Sequence, residues 1–365
     1  MVIDSHVHTF PYMGGASGFK SHEEHLKRLQ RGVCSSINPP FRKRDNTPVS
    51  GQTLWDGKNP TPAGLSNVGF RVSKYGRFEW TTDAEELCLQ YFAPSLVDNI
   101  STAEYMVAEM DYAGVDRCVL QNHPMYGRLN DFFADCVRQY PNRFIGLGNI
   151  HEGLAHTDEQ LSELHRCAEG LGHKGLFYQV GGFWENGYRD NVDDPKYALF
   201  WDEVRRLGLV LYWDPSPVAF PSAEAYTDQM ERMYRVLVQH PGIPTVLVQA
   251  FPLGYYARDG RYQLPQVAND LAKLPNFLME IAYPISHGRD WEYPYVETYP
   301  LIYQLYDRFG PETLVWGSDM PNVIRFCTYR QSYQYFRHCD FLAPAELDLL
   351  LGDNLARLFG LAPAA

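Results

Sequence analysis

The sequence predicts a (β/α)8 barrel with an insertion after its first strand, and three observations carry that reading. Eight apolar, strand-like runs recur along the 365 residues, helix-like segments separate most of them, and ligand-type side chains gather at the ends of the first, fifth and eighth runs. Strand followed by helix, repeated in this way, is the pattern of a parallel sheet closed on itself, with its chemistry at the C-terminal strand ends.

The first run, residues 2–8, contains Asp4-Ser5-His6-Val7-His8. Residues two apart on a strand share a face, about 6 to 7 Å apart along it, so His6 and His8 can converge on one metal ion. The other strands are predicted at 117–123, 144–151, 175–179, 209–214, 245–251, 277–282 and 314–319, and helices at 101–113, 129–140, 157–170, 195–207, 223–239, 264–274 and 295–309. Ser101-Thr102-Ala103-Glu104 resembles a capping box, and Gly114 supplies the left-handed residue that ends the helix it starts. Gly208 and Gly310 end two later helices by the same logic. A last amphipathic helix at 345–358, with Leu347, Leu350, Leu351, Leu355 and Leu358 near helical spacing, is expected on the barrel exterior.

Residues 9–98 break the rhythm, being far longer than an ordinary strand-to-helix loop. Within them, 21–30 reads as a short helix, 37–65 is rich in Pro, Gly and Asn, and 68–80 alternates around Lys74-Tyr75-Gly76 as a hairpin. The chain is thus expected to be one barrel domain over 1–365, with the inserted segment serving either as a lid over the active face or as an oligomer contact.

Hydrophobic residues make up 45% of the chain, enough for a large core, and 32 basic against 44 acidic residues give a net charge of −12. That balance, with only the short basic cluster Arg42-Lys43-Arg44, argues against nucleic acid or anionic membrane as partner and for a small molecule. Seven cysteines without CxxC spacing read as reduced thiols, and no signal peptide or apolar span of membrane length is evident, so a cytoplasmic protein is expected.

The strand ends supply the candidate chemistry. Strand eight ends in Gly317-Ser318-Asp319-Met320-Pro321 and strand five in Tyr212-Trp213-Asp214-Pro215, so His6, His8, Asp214 and Asp319 are the expected ligands of one divalent ion, with Asp319 also placed to accept a proton. Zinc suits two imidazoles and one or two carboxylates, without excluding manganese or iron. His123 and His151, ending strands two and three, are candidate catalytic groups. Gln249, ending strand six, can only donate and accept hydrogen bonds. Arg258, Arg261, Arg289 and Arg325, in loops after strands six to eight, are candidates to clamp a substrate carboxylate, Arg258 and Arg289 foremost.

These segments resemble the amidohydrolase superfamily, in the amidohydrolase-related branch that holds aminocarboxymuconate semialdehyde decarboxylase. The resemblance rests on Ile3-Asp4-Ser5-His6-Val7-His8, on Met110-Asp111-Tyr112-Ala113-Gly114-Val115-Asp116-Arg117, on Leu207-Gly208-Leu209 leading to Tyr212, and on Phe309-Gly310-Pro311-Glu312 through Trp316-Gly317-Ser318-Asp319-Met320-Pro321. It implies a barrel holding one divalent metal through strand-one histidines, a strand-five histidine and the strand-eight aspartate, and an activity of hydrolysis, hydration or decarboxylation on a small carboxylated substrate. Asp214 stands where that pattern has its strand-five histidine, and Gln249 where it has a catalytic strand-six histidine. These departures raise an alternative: a degenerate barrel subunit paired with a homologous metal-containing one, possibly in a dinuclear-metal oxygenase. A homo-oligomer, or a hetero-oligomer of that kind, is the expected assembly.

Overall fold

The computed structural model describes every residue except 35, 37, 60, 84, 218 and 362–365, so part of the Pro- and Gly-rich stretch 37–65 lies outside the described residues. Eight parallel strands form one sheet in the order β1 (Ile3–Val7), β6 (Arg117–Leu120), β7 (Phe144–Gly148), β8 (Gly175–Gln179), β9 (Val210–Asp214), β10 (Thr245–Leu247), β13 (Phe277–Ile281) and β14 (Leu314–Trp316). The barrel closes just past the end of β14, where Asp319 N donates to His6 O (2.9 Å) and His8 N donates to Met320 O (2.7 Å). All eight runs predicted from sequence are strands, several of them shorter than the apolar pattern that announced them.

Side chains inside the barrel follow the two-residue period of a strand. Val119, Leu147, Phe177, Tyr212, Val246, Leu278 and Val315 form an apolar plug, and two residues further along β8, β9 and β13 the same face presents Gln179, Asp214 and Glu280. β1 departs from strict alternation. Asp4 pairs with Cys118 and Val7 with Leu120, so β1 takes three residues where β6 takes two. Ile3 faces inward, and without that bulge Val7 would too; instead Val7 packs outside against the helices, and His6 and His8 turn into the barrel.

The outer layer holds α1 (His22–Val33), α2 (Ala103–Ala113), α3 (Asn130–Gln139), α4 (Asp158–His165), α5 (Ala198–Arg206) and α6 (Ala223–Gln239), followed by shorter elements. Gly114 ends α2 at φ 80° as expected, but the cap at its start is Thr102, whose side chain accepts from Tyr105 N; Ser101 instead bonds His8 O and pairs with Phe10. The closing segment corrects a second expectation. Its Leu350 and Leu351 pack in the outer core as expected, but Leu355 and Ala356 join the barrel's interior plug and Phe359 stacks on Tyr212 at 6.3 Å, so its last turns seal the N-terminal mouth of the barrel.

In the inserted segment, β3 (Arg71–Val72) and β4 (Arg77–Thr81) form the hairpin, turning through Tyr75 and Gly76 at positive φ. β5 (Glu86–Gln90) and β2 (Phe41–Arg42) extend it to a four-stranded antiparallel sheet that the sequence pattern did not reveal. β11 (Ala257–Arg258) and β12 (Arg261–Tyr262) make a small second hairpin after β10. Among the described residues, no helix is long and apolar enough to cross a membrane, and none of the seven cysteines is in a disulfide.

Candidate metal centre

At the C-terminal mouth, His6, His8 and Asp319 bring three ligand-type atoms within 4.8 Å of one another. His6 Nε2 lies 3.1 Å from His8 Nε2, and Asp319 Oδ1 lies 3.2 Å from His8 Nε2 and 3.7 Å from His6 Nε2. Each ring is held from behind. His6 Nδ1 is 2.7 Å from Glu280 Oε1 and His8 Nδ1 is 2.9 Å from Gln121 O, which leaves both Nε2 atoms turned inward.

The supports of this cluster come from the strand sequence itself. Asp4 accepts from His6 N and Ser318 N, both at 2.9 Å, from Tyr329 OH at 2.8 Å, and from the Ser318 hydroxyl, so one buried carboxylate ties the end of β1 to the turn after β14. Burial lifts its carboxyl to about 6, against the pull of those hydrogen bonds. Asp319 sits at φ 61°, and Asn322 Nδ2 donates to its Oδ1 at 2.7 Å. Glu280 also accepts from Gln249 N (3.2 Å) and Gln121 Nε2 (3.3 Å). Gly317 leaves room for it: a Cβ there would meet the Glu280 carboxyl carbon at 2.6 Å.

Charge in the cluster is strongly shared. Burial pulls the His6 imidazolium down, but Glu280 and Asp319 outweigh it and hold the ring up at about 9. Burial likewise raises Asp319, yet His6 and His8 keep its carboxyl down at about 2. Around a tetrahedral zinc ion, with Zn–N near 2.05 Å, donor atoms stand about 3.3 Å apart. The separations of 3.1, 3.2 and 3.7 Å therefore fit a small divalent cation between these atoms.

The cluster lies in a cavity of about 200 Å3 whose walls include Asp214, Gln249, His123 and Arg325. Asp214 stands outside the three-donor group: Gln179 Nε2 donates to its Oδ2 at 2.6 Å and Ser216 N to its Oδ1 at 2.7 Å. Burial raises its carboxyl. His123 accepts from Met125 N at 3.0 Å, and burial, then the neighbouring His8, push it down to about 3, so the ring is neutral. Gln249, at φ 51°, turns its own N–H to Glu280. Arg325 donates to Tyr91 O and Asn322 O.

Four residues proposed from sequence stand elsewhere. His151 pairs with Glu185 and does not line this cavity; Arg258 is exposed and folds back on Gly254 O and Ala257 O; Arg289 is exposed on the loop after β13. Arg261 is exposed in the same hairpin as Arg258. Sequence reasoning passed over Glu280, although an acid within the buried run Phe277-Leu278-Met279-Glu280-Ile281 is a signal in itself. Asn322 and Tyr126, joined at 2.8 Å, carried no such signal.

Fold and cluster together define a (β/α)8 barrel with a histidine–carboxylate group at its C-terminal mouth. The amidohydrolase family model matches residues 3–361, and the chain belongs to that family. It is 36% identical over 87 residues to the 2-amino-3-carboxymuconate-6-semialdehyde decarboxylase of Dictyostelium discoideum, and 33% identical over 91 residues to the gamma-resorcylate decarboxylase of Rhizobium radiobacter. Those matches span 24% of this chain and 22% and 27% of the two relatives. A dihydroxybenzoic acid decarboxylase from Polaromonas sp. JS666, solved with bound manganese, shares the fold at a TM-score of 0.52 and 17% identity, over 73% of this chain and 88% of that one.

Proposed function

We propose that this chain is a metal-dependent decarboxylase of a small carboxylated compound, in preference to the hydrolase or hydratase that the same fold can support. The observation that carries the reading is the His6, His8 and Asp319 cluster, with both Nδ1 atoms anchored outward and three donors turned to one point. The names of the two curated relatives favour decarboxylation. His6, His8 and Asp319 would hold one divalent ion, zinc first, with manganese or iron as alternatives. Such an ion supplies Lewis-acid stabilisation of negative charge on substrate oxygen.

The chain's own groups do the rest. Loss of CO2 breaks one carbon–carbon bond and leaves an electron pair on carbon, which must be met by a proton. Asp214, whose carboxyl is raised by burial, stands in the cavity wall to hold that proton. Neutral His123 and Gln179 orient the substrate beside it, their Nε2 atoms being 2.8 Å apart. Tyr91 of the inserted segment stands in the wall of this cavity and α1 in the wall of the chamber beside it, which supports the lid reading of that segment. The test is CO2 release by the purified, ion-reconstituted chain from a panel of small aromatic carboxylic acids, with deuterium uptake at the vacated carbon in D2O. Ion uptake without CO2 release from any of them would overturn the decarboxylase reading.

A partner-subunit role is the second reading, and Asp214 favours it by facing Gln179 and Ser216 while three donors remain at the cluster. Turnover by the isolated chain decides against it.

A further inference from the structure

Next to the cluster lies a second chamber of about 130 Å3, and its charge is unused by the chemistry above. Tyr91, His123, Gln179 and Ser216 stand in the walls of both spaces, so the two adjoin. α1 presents Arg28, Arg31 and Gly32 to the outer one, at the i, i+3, i+4 spacing of a single helix face.

Both arginines are held in place and keep a buried donor without an acceptor among the described residues. Arg28 is only 8% exposed; its guanidinium lies 5.3 Å from the Trp184 ring centroid and pairs at one end with Glu185. Arg31 lies 4.3 Å over the Trp55 ring and hydrogen-bonds the Tyr188 side chain in the chamber wall. Stacking fixes a guanidinium plane while leaving its donor edge open. The Nε atoms of Arg28 and Arg31 are both buried, and neither meets a hydrogen-bond acceptor among the described residues. A buried donor without an acceptor costs free energy that a ligand oxygen recovers. Glu185 is shared with His151, and among the described residues no carboxylate pairs with Arg31, so positive charge is in excess here within a chain of net charge −12.

We propose that the outer chamber binds a second oxyanionic group, so that the substrates are compact dianions: one carboxylate faces the His6–His8–Asp319 cluster, and a second group, a carboxylate by preference, sits on Arg28 and Arg31. This rests on the reading above that a carboxylate reacts beside the cluster. Planar guanidinium edges suit a carboxylate because both bond in parallel pairs.

The experiment is calorimetric titration of the ion-loaded full chain with benzoate, which has one carboxylate, and with isophthalate and terephthalate, which have two at different spans. One of the two diacids binds at least about tenfold more tightly than benzoate, the factor expected for an added charge-assisted contact. Arg31→Gln and Arg28→Gln each bring the diacid-to-benzoate ratio close to one while ion content is unchanged. If Arg28→Gln fails to fold for want of its pair with Glu185, Arg28→Lys and Arg31→Gln carry the comparison. A wild-type ratio near one, or a ratio that survives Arg31→Gln, overturns the proposal. Failure of the decarboxylase reading shows separately, as no CO2 release from a chain that still prefers the diacid.

Discussion

The two mouths of the barrel are built from the same strands and differ in almost every other respect. At the N-terminal mouth, Val119, Tyr212, Leu278 and Val315 close on Leu355 and Ala356. At the C-terminal mouth, two to four residues along the same strands, the inward positions become Gln121, Asp214, Glu280 and Asp319. One mouth is held by burial of apolar area, the other by hydrogen bonds and ion pairs among buried polar groups. A parallel barrel can therefore separate stability from chemistry along each strand, with about two residues as the boundary.

The most drastic way to break the contrast is His6→Ala with His8→Ala, which should abolish ion uptake in elemental analysis while the barrel still folds; retained stoichiometric ion would refute the assignment of the C-terminal mouth. Leu355→Ala should do the converse, costing about 2–5 kcal/mol in urea melts by opening a cavity in the plug, with ion affinity unchanged. Glu280→Gln weakens the outward hold on His6 and should lower ion affinity by about 10- to 100-fold, measured by competition with a chromogenic chelator.

The smallest effect concerns pH. Burial raises the Glu185 carboxyl, but His151 and Arg28 outweigh it and bring it from 4.5 down to about 2. A group held low in the folded state adds stability that is full above 4.5 and is lost as pH falls towards 2. Because Glu185 is partly exposed, that contribution amounts to about 1 kcal/mol after screening. Glu185→Gln should accordingly flatten the acid limb of stability in that window, and an unchanged limb would show that the pairing contributes nothing to folding.

The alternation of strands and helices was legible because each barrel strand is buried on both faces and reads as a continuous apolar run. The inserted sheet was not: β2 and β3 are two residues each, too short to show a period. The end of the closing helix was misplaced for a related reason, since Leu355 at helical spacing says that a face is buried but not against what. In the site, His6, His8 and Asp319 were found as ligand types at strand ends, and Arg258 and Arg289 were favoured on loop position alone. The role proposed for Arg28 could not be found that way, because it depends on a helix of the insertion folding back beside the mouth. Glu280 could have been, by counting inward positions along its strand.

The extra residue in β1 sets the phase of everything after it. Ile3 belongs to the plug and His6 to the cluster only because the count of two slips once between Asp4 and Val7. Anyone grafting this histidine pair onto another barrel must therefore copy the slip as well as the imidazoles. Deleting one residue there would keep both side chains in the sequence and rotate them away from the mouth, so here the length of a segment governs function as firmly as its composition.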